Sequence, residues 1–322
     1  MKKTLTLALI AVMALLQSCT KIETVANKDI DTALKNTIKA KNDSLIKALI
    51  TSNLPIFKAL GSDNFVKNLQ ANTRNVSSFY RKHFFTKEYT VFDEYHITDS
   101  KTGSKNDILS ASHGYTFTFV NDEKESYLSL LKVSNYQFDF VIAVTYGRSG
   151  NGWKIYELDN FFIGNCGKTV YDLYNLAKQN EGKGFLLDAF VYAGAANDCL
   201  NGEDVKFKWT NEKSIKLYLK TIENKVAQKY SFPIALNRIN SKPLITGIEA
   251  RVIASGVVPA ITYQTSFSLK DTLNLKKENE AIKKEIRSIF KDLDSHTTIV
   301  YRAQPVSGSP DGSYDLIDKK EK

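Results

Sequence analysis

Cysteine is scarce in this 322-residue chain, with three copies at Cys19, Cys166 and Cys199. No two of them form a C-x-x-C pair, which excludes a zinc ribbon and a thioredoxin-type redox motif. Histidine is almost as rare. His83, His96, His113 and His296 are scattered and stand apart from the cysteines, so no metal site and no cofactor is expected. Six prolines and sixteen glycines exclude a collagen-like or low-complexity chain. Beyond the first sixteen residues no apolar run is long enough to cross a bilayer as a helix. Gly-x-Ser-x-Gly, His-Glu-x-x-His and the calcium-loop pattern are all absent, which removes the common hydrolase and metalloprotease signatures.

What is present is a globular composition: 43% hydrophobic, 11% aromatic and 25% charged residues, at a length typical of about two domains. The net charge is +9, but acids are interleaved with the bases. The densest basic run, Lys276-Lys277 with Lys283-Lys284, contains Glu278, Glu280 and Glu285, as on a solvated helix face laced with i,i+4 pairs. No nucleic-acid partner is expected.

The N-terminus has an address. Lys2 and Lys3 precede the apolar stretch Leu5–Leu16, a secretory signal too short for a stable span. Leu16-Gln17-Ser18-Cys19 follows, and it resembles the bacterial lipobox. The resemblance implies cleavage before Cys19, a diacylglyceryl group on its thiol and an acylated amino terminus. Several acyl chains, at about 0.8 kcal/mol per buried CH₂, make such an anchor permanent. Thr20 in place of Asp implies the outer membrane of a Gram-negative envelope. Asp31-Thr32-Ala33, Asp43-Ser44-Leu45 and Asp271-Thr272-Leu273 are similar to the acceptor of some envelope O-glycosylation systems. In the exported body Cys166 and Cys199 are either a disulfide or two buried thiols.

Periodicity assigns the rest. Residues 1–18 are the signal and 19–28 a lipidated tether. Ile30, Ala33, Leu34 and Ile38, then Leu45, Ile46, Leu49 and Ile50, follow helical spacing. Ser62 can cap a further helix through Phe65, Leu69, Val76 and Tyr80. The period then changes to two: Lys87–Ile97, Ser112–Val120, Gln137–Gly147 and, after Gly150-Asn151-Gly152, Trp153–Phe162 read as an antiparallel meander. Helices followed by a curved antiparallel sheet mean α+β. Helices first, then strands ending in Gly-Asn-Gly-Trp-Lys-Ile-Tyr-Glu-Leu, resemble the cone-shaped α+β fold of the nuclear transport factor two superfamily over residues 29–163. That fold serves enzymes, binding modules and dimerisation domains alike. Residues 164–229 read as a helical connector in which Leu176–Ala189 is similar to a tetratricopeptide hairpin. Residues 230–322, punctuated by Pro233, Pro243 and Pro259, read as a second small α+β domain. Gly167–Leu200 and Ile261–Leu275 also resemble segments of uncharacterised envelope lipoproteins, a family that brings no activity with it.

Two constellations invite chemistry. Gly164-Asn165-Cys166-Gly167-Lys168-Thr169 contains Gly-Lys-Thr, but a phosphate cradle needs a glycine where Phe162 stands. A tight strand-to-helix turn with Thr169 near the helix start is the better reading. Asp93 and His113 each fall, by alternation, on the apolar face of a strand, so a cone lined by those strands could place them as an acid–base pair. Hydrogen-bonded burial or rim positions would leave the same letters. The expected function is therefore a lipid-anchored, non-enzymatic envelope protein binding an unknown protein or small molecule. The alternative is an enzyme of the nuclear-transport-factor-two-like class using Asp93 and His113.

Overall fold

The computed structural model describes residues 22–71, 73, 74, 77, 78, 88–135, 137–150, 152–202, 205–293, 298–306 and 312–318. Cys19 and the signal segment, Val76, Tyr80, His83, Asn151 and His296 lie outside the described residues. The fold is α+β, with a strongly curled antiparallel sheet and two smaller sheets. The chain divides into two compact units. The first holds the described chain up to Ala111, with Thr116–Val133 and Val141–Phe161; the second holds Ser112–Tyr115, Ser134–Phe140 and everything from Phe162 onward. The segments 164–229 and 230–322 thus share one unit.

In the first unit the helical period is honoured by α1 (Thr32–Thr51), a single helix continuous through Lys41-Asn42-Asp43. Asp31 caps it by accepting from the Leu34 N–H, and Ser52 ends it at φ 51°. Pro55 opens α2 (Leu54–Leu60), where its missing N–H costs no hydrogen bond. Ser62 caps α3 (Asp63–Lys67), as its position suggested.

The six-stranded sheet runs β1 (Glu23–Ala26), β2 (Thr90–Thr98), β5 (Glu125–Ser134), β6 (Phe138–Ser149), β7 (Gly152–Asn165) and β8 (Lys168–Thr169). β3 (Lys105–Leu109) and β4 (Tyr115–Val120) belong to a three-stranded sheet completed by β9 (Phe207–Trp209). The assignment of 19–28 to a tether is corrected for its described part. Residues 23–26 are the edge strand β1, paired antiparallel with β2 from Glu23↔Thr98 to Ala26↔Tyr95, and Asn27–Asp29 form a 3-10 turn. A four-residue edge strand has too few positions for alternation to show.

In the second unit α4 (Val170–Gly182) and α5 (Leu186–Asp198) form a hairpin, and α5 packs on α6 (Glu212–Lys229), β11 (Leu244–Ile253) and β12 (Gly256–Thr265). The small residues Ala189, Ala193, Ala195 and Ala196 are fully or almost fully buried and permit that close approach. The sheet order is β10 (Ile234–Ala235), β11, β12, β13 (Ile299–Pro305) and β14 (Tyr314–Asp318). β12 and β13 are parallel, which requires a crossover, supplied by α7 (Thr272–Ile289). Pro259, read as a boundary, lies inside β12 opposite Ala250. The parallel pairing starts one residue later, at Ala260↔Val300, so the missing donor does not interrupt it.

Candidate functional site

On α1, Lys35, Lys39 and Asp43 are spaced four apart and share one face. That face looks onto β2 of the same unit. Lys35 Nζ lies 3.0 Å from Glu94 Oε1 and donates to the Asn27 carbonyl. Glu94 Oε2 accepts from the Tyr127 hydroxyl at 2.6 Å. One turn along, Asp43 accepts from Lys39 Nζ at 2.8 Å and from the Tyr89 hydroxyl at 2.6 Å. Lys35, Lys39, Asp43, Tyr89 and Glu94, with Asn36, Glu88 and Val91, line a pocket of about 520 Å³.

A second set of polar contacts lies in the core of the same unit. Asn42 is buried on α1; its Nδ2 donates to Ser129 Oγ and its Oδ1 accepts from the Tyr146 hydroxyl, both at 2.8 Å. Such a network is stable only because its members satisfy one another. Electrostatics fixes the protonation states. The Lys39 hydrogen bond, then that from Tyr89, holds the Asp43 carboxyl below its ordinary value. Burial first, and the adjacent carboxylate second, push the phenols of Tyr89 and Tyr127 well above theirs. Burial does the same to Tyr146. At neutral pH the Tyr89 phenol is therefore a neutral donor in the pocket, set beside Lys35, Lys39, Asp43, Glu88 and Glu94. Among its described lining residues there is no histidine, cysteine or serine. The arrangement offers hydrogen-bond donors and acceptors to a polar ligand.

Asp93 faces elsewhere. A bulge at Phe92 shifts the register between Val91 and Asp93, so Val91 is 46% exposed while Asp93 is buried in phase with Tyr95 and Ile97. Asp93 Oδ1 accepts from Asn27 Nδ2 and Oδ2 from Ser110 Oγ, each at 2.8 Å. Asn27 Oδ1 in turn accepts the Glu94 N–H. Asp93 is thus a clasp joining the turn after β1 to β2 and to the residue after β3.

His113 requires a correction, because it is not on a strand. β4 begins at Tyr115, and residues 111–113 form the turn before it. Gly114, at φ 66°, breaks the extended run, and its carbonyl accepts from the Tyr171 hydroxyl and from the N–H and hydroxyl of Thr210. His113 is half-buried, with Nδ1 3.1 Å from the Ser112 hydroxyl. Asp93 and His113 belong to different compact units.

Cys166 and Cys199 are not bridged. The Cys166 sulfur lies 3.5 Å from the Ile253 carbonyl oxygen, while Cys199 is fully buried and accepts from Asn165 Nδ2 at 3.1 Å. Burial first, then Asp139 for Cys166 and Asp198 for Cys199, pushes both thiols above their ordinary value. The Gly164–Thr169 motif is a hairpin. Cys166 at φ 52° and Gly167 at φ 78° form its two-residue turn, and a Cβ on Gly164 would stand 2.1 Å from the Lys168 carbonyl oxygen. Thr169 then caps α4 in a reciprocal capping box with Asp172. Two of the three acceptor-like tripeptides also have a structural explanation, since Asp31 and Asp271 are helix N-caps.

No family model, curated protein or solved structure matches this chain. Its functional reading therefore stands on its own geometry.

The residues of this pocket escaped sequence reasoning. Glu94 sits at a position that alternation assigns to solvent, yet both faces of β2 are covered along Asp93-Glu94-Tyr95. The available signal was the four-residue spacing of Lys35, Lys39 and Asp43, opposed by a strand rich in carboxylates.

Proposed function

We propose that this protein is a lipid-anchored component of the outer membrane, attached through Cys19, and that its first unit is a binding module for a small polar ligand. One observation carries the binding reading: Glu94, held by Lys35 and Tyr127, forms a wall of a 520 Å³ pocket furnished with donors and acceptors. The lipobox supports the anchor. The resemblance to the nuclear transport factor two superfamily supplies a fold in which binding modules are common. The acid–base alternative draws no support from the geometry, because both Asp93 oxygens are engaged in holding β1, β2 and the residue after β3.

The test uses the full chain purified in detergent. Acyl mass on Cys19, lost in Cys19→Ser, is the expected result for the anchor. A thermal-shift panel of sugars and free amino acids should contain compounds that stabilise the wild type but not Tyr89→Ala or Lys35→Met. Equal stabilisation of wild type and variants would overturn the assignment of the site.

A further inference from the structure

We propose that the short leash from Cys19 to β1 stands the first unit end-on to the bilayer, with the pocket directed away from the membrane, so that the ligand is drawn from the aqueous phase and not from the lipid. The proposal rests on the reading of Cys19 as the anchored residue.

Only four residue steps separate Cys19 from Glu23, the first residue of β1, so an extended chain spans at most about 14 Å. Glu23 is paired with Thr98, at the C-terminal end of β2. The anchor therefore holds that end close to the headgroups. The pocket lies toward the other end of β2, where Glu88 and Tyr89 precede the strand and Val91 is its second residue, and its lining reaches Glu94 in mid-strand. At about 3.3 Å per residue, Val91 is roughly 23 Å from Thr98 along the strand. α1 gives an independent measure of the same direction, since it meets Glu94 through Lys35 and reaches Tyr89 eight residues later through Asp43.

The end of the unit beside Glu23 is firm. Asn121 is fully buried and ties the 99–104 turn together: its Nδ2 donates to the Lys101 carbonyl at 2.7 Å and its Oδ1 accepts the Ser104 N–H at 2.8 Å. The Gly103 N–H donates to the Asn121 carbonyl at 2.7 Å. Around this turn Lys101, Lys105 and Lys124 are exposed, as is Ile22 at 41%. Glu23 and Asp122 are exposed there too, so the leash and not a cationic patch sets the orientation.

The experiment places a fluorophore on Thr102→Cys or on Thr90→Cys in the lipidated full chain carrying Cys166→Ala, the buried Cys199 being inaccessible to label. Both proteins are reconstituted in phosphatidylethanolamine–phosphatidylglycerol vesicles containing a nitroxide headgroup quencher. The expected result is several-fold stronger quenching at Thr102 than at Thr90, and loss of the difference when ten Gly/Ser residues are inserted after Lys21. Equal quenching, or stronger quenching at Thr90, in a chain that floats with the vesicles overturns the orientation and leaves the anchor standing. A chain that neither floats nor carries acyl mass on Cys19 overturns the anchor, and the orientation with it.

Discussion

Beneath α1 in the first unit, Asn42, Ser129 and Tyr146 bond one another, and Glu94 has a partner on each oxygen. Beneath α7 in the second unit, Glu278 and Asn279 are just as buried, yet Glu278 Oε2, Asn279 Oδ1 and the nearby Tyr263 hydroxyl have no hydrogen-bond partner. Glu278 is held through its other oxygen by Ser241. Both units bury polar side chains between a helix and a sheet. Around Asn42 and Glu94 the named polar atoms are all bonded, whereas around Glu278 three are not, and Glu94 also lines the pocket. A satisfied buried network rigidifies its surroundings, whereas a half-satisfied one is a cost that packing elsewhere must offset.

The comparison can be broken most directly at Asn42. Asn42→Ala leaves the Tyr146 hydroxyl and Ser129 Oγ unbonded in the core, and the expected loss is about 3 kcal/mol of unfolding free energy in urea titration. Next comes Glu94→Gln, which keeps the shape but weakens the contacts to Lys35 and Tyr127. A loss of about 1–2 kcal/mol is expected. Glu278→Gln should differ in kind. It removes a buried charge while keeping an acceptor for Ser241, so stability should stay within about 1 kcal/mol of wild type or rise. Were Glu278→Gln to cost as much as Asn42→Ala, the contrast between the units would fail.

Two smaller effects sharpen the same contrast by pH. Burial, then the hydrogen bond to Glu123, raises the Tyr156 phenol from 10.0 to about 12. A raised pKa means that its contribution to stability is complete below pH 10.0 and is lost as pH rises toward about 12. Absorbance titration at alkaline pH should show this late phenol, and Tyr156→Phe should remove it. Asp43 has the opposite sign. Its carboxyl is lowered, so its contribution is present at neutral pH and disappears as pH falls below the ordinary carboxylate value of 3.8. Being largely exposed, Asp43 should give the smallest change of the set, measured as the acid limb of the urea midpoint in wild type against Asp43→Asn.

Much of this architecture was legible from periodicity. Tyr115, Phe117 and Phe119 are buried while Thr116 and Thr118 are not, as alternation requires. The caps at Ser62 and Thr169 act where their side-chain chemistry placed them. The failures have physical causes. β5 is covered on both faces from Ser126 to Leu131, so it carries no period to read. The bulge at Phe92 changes the phase of β2 midway, and two adjacent carboxylates, Asp93 and Glu94, both become buried with different partners. His113 reads as part of a strand until the positive φ of Gly114 is known. Pairing is the least visible quantity of all, and nothing in the letters of β12 and β13 announces that they run parallel.

That parallel pair has a kinetic consequence. β13 cannot find β12 until the chain from Ser266 to Thr298, α7 included, has closed the crossover, and the second unit also draws Ser112–Tyr115 and Ser134–Phe140 from far upstream. Contacts so distant in sequence lose chain entropy before they gain burial, and they place a fold on the slow side of the rate spectrum. A chain emerging N-terminus first would therefore hold the β12 ladder edge open until β13 arrives. During that interval the open strand, with Val257, Val258 and Ile261 still uncovered, is exposed to mispairing.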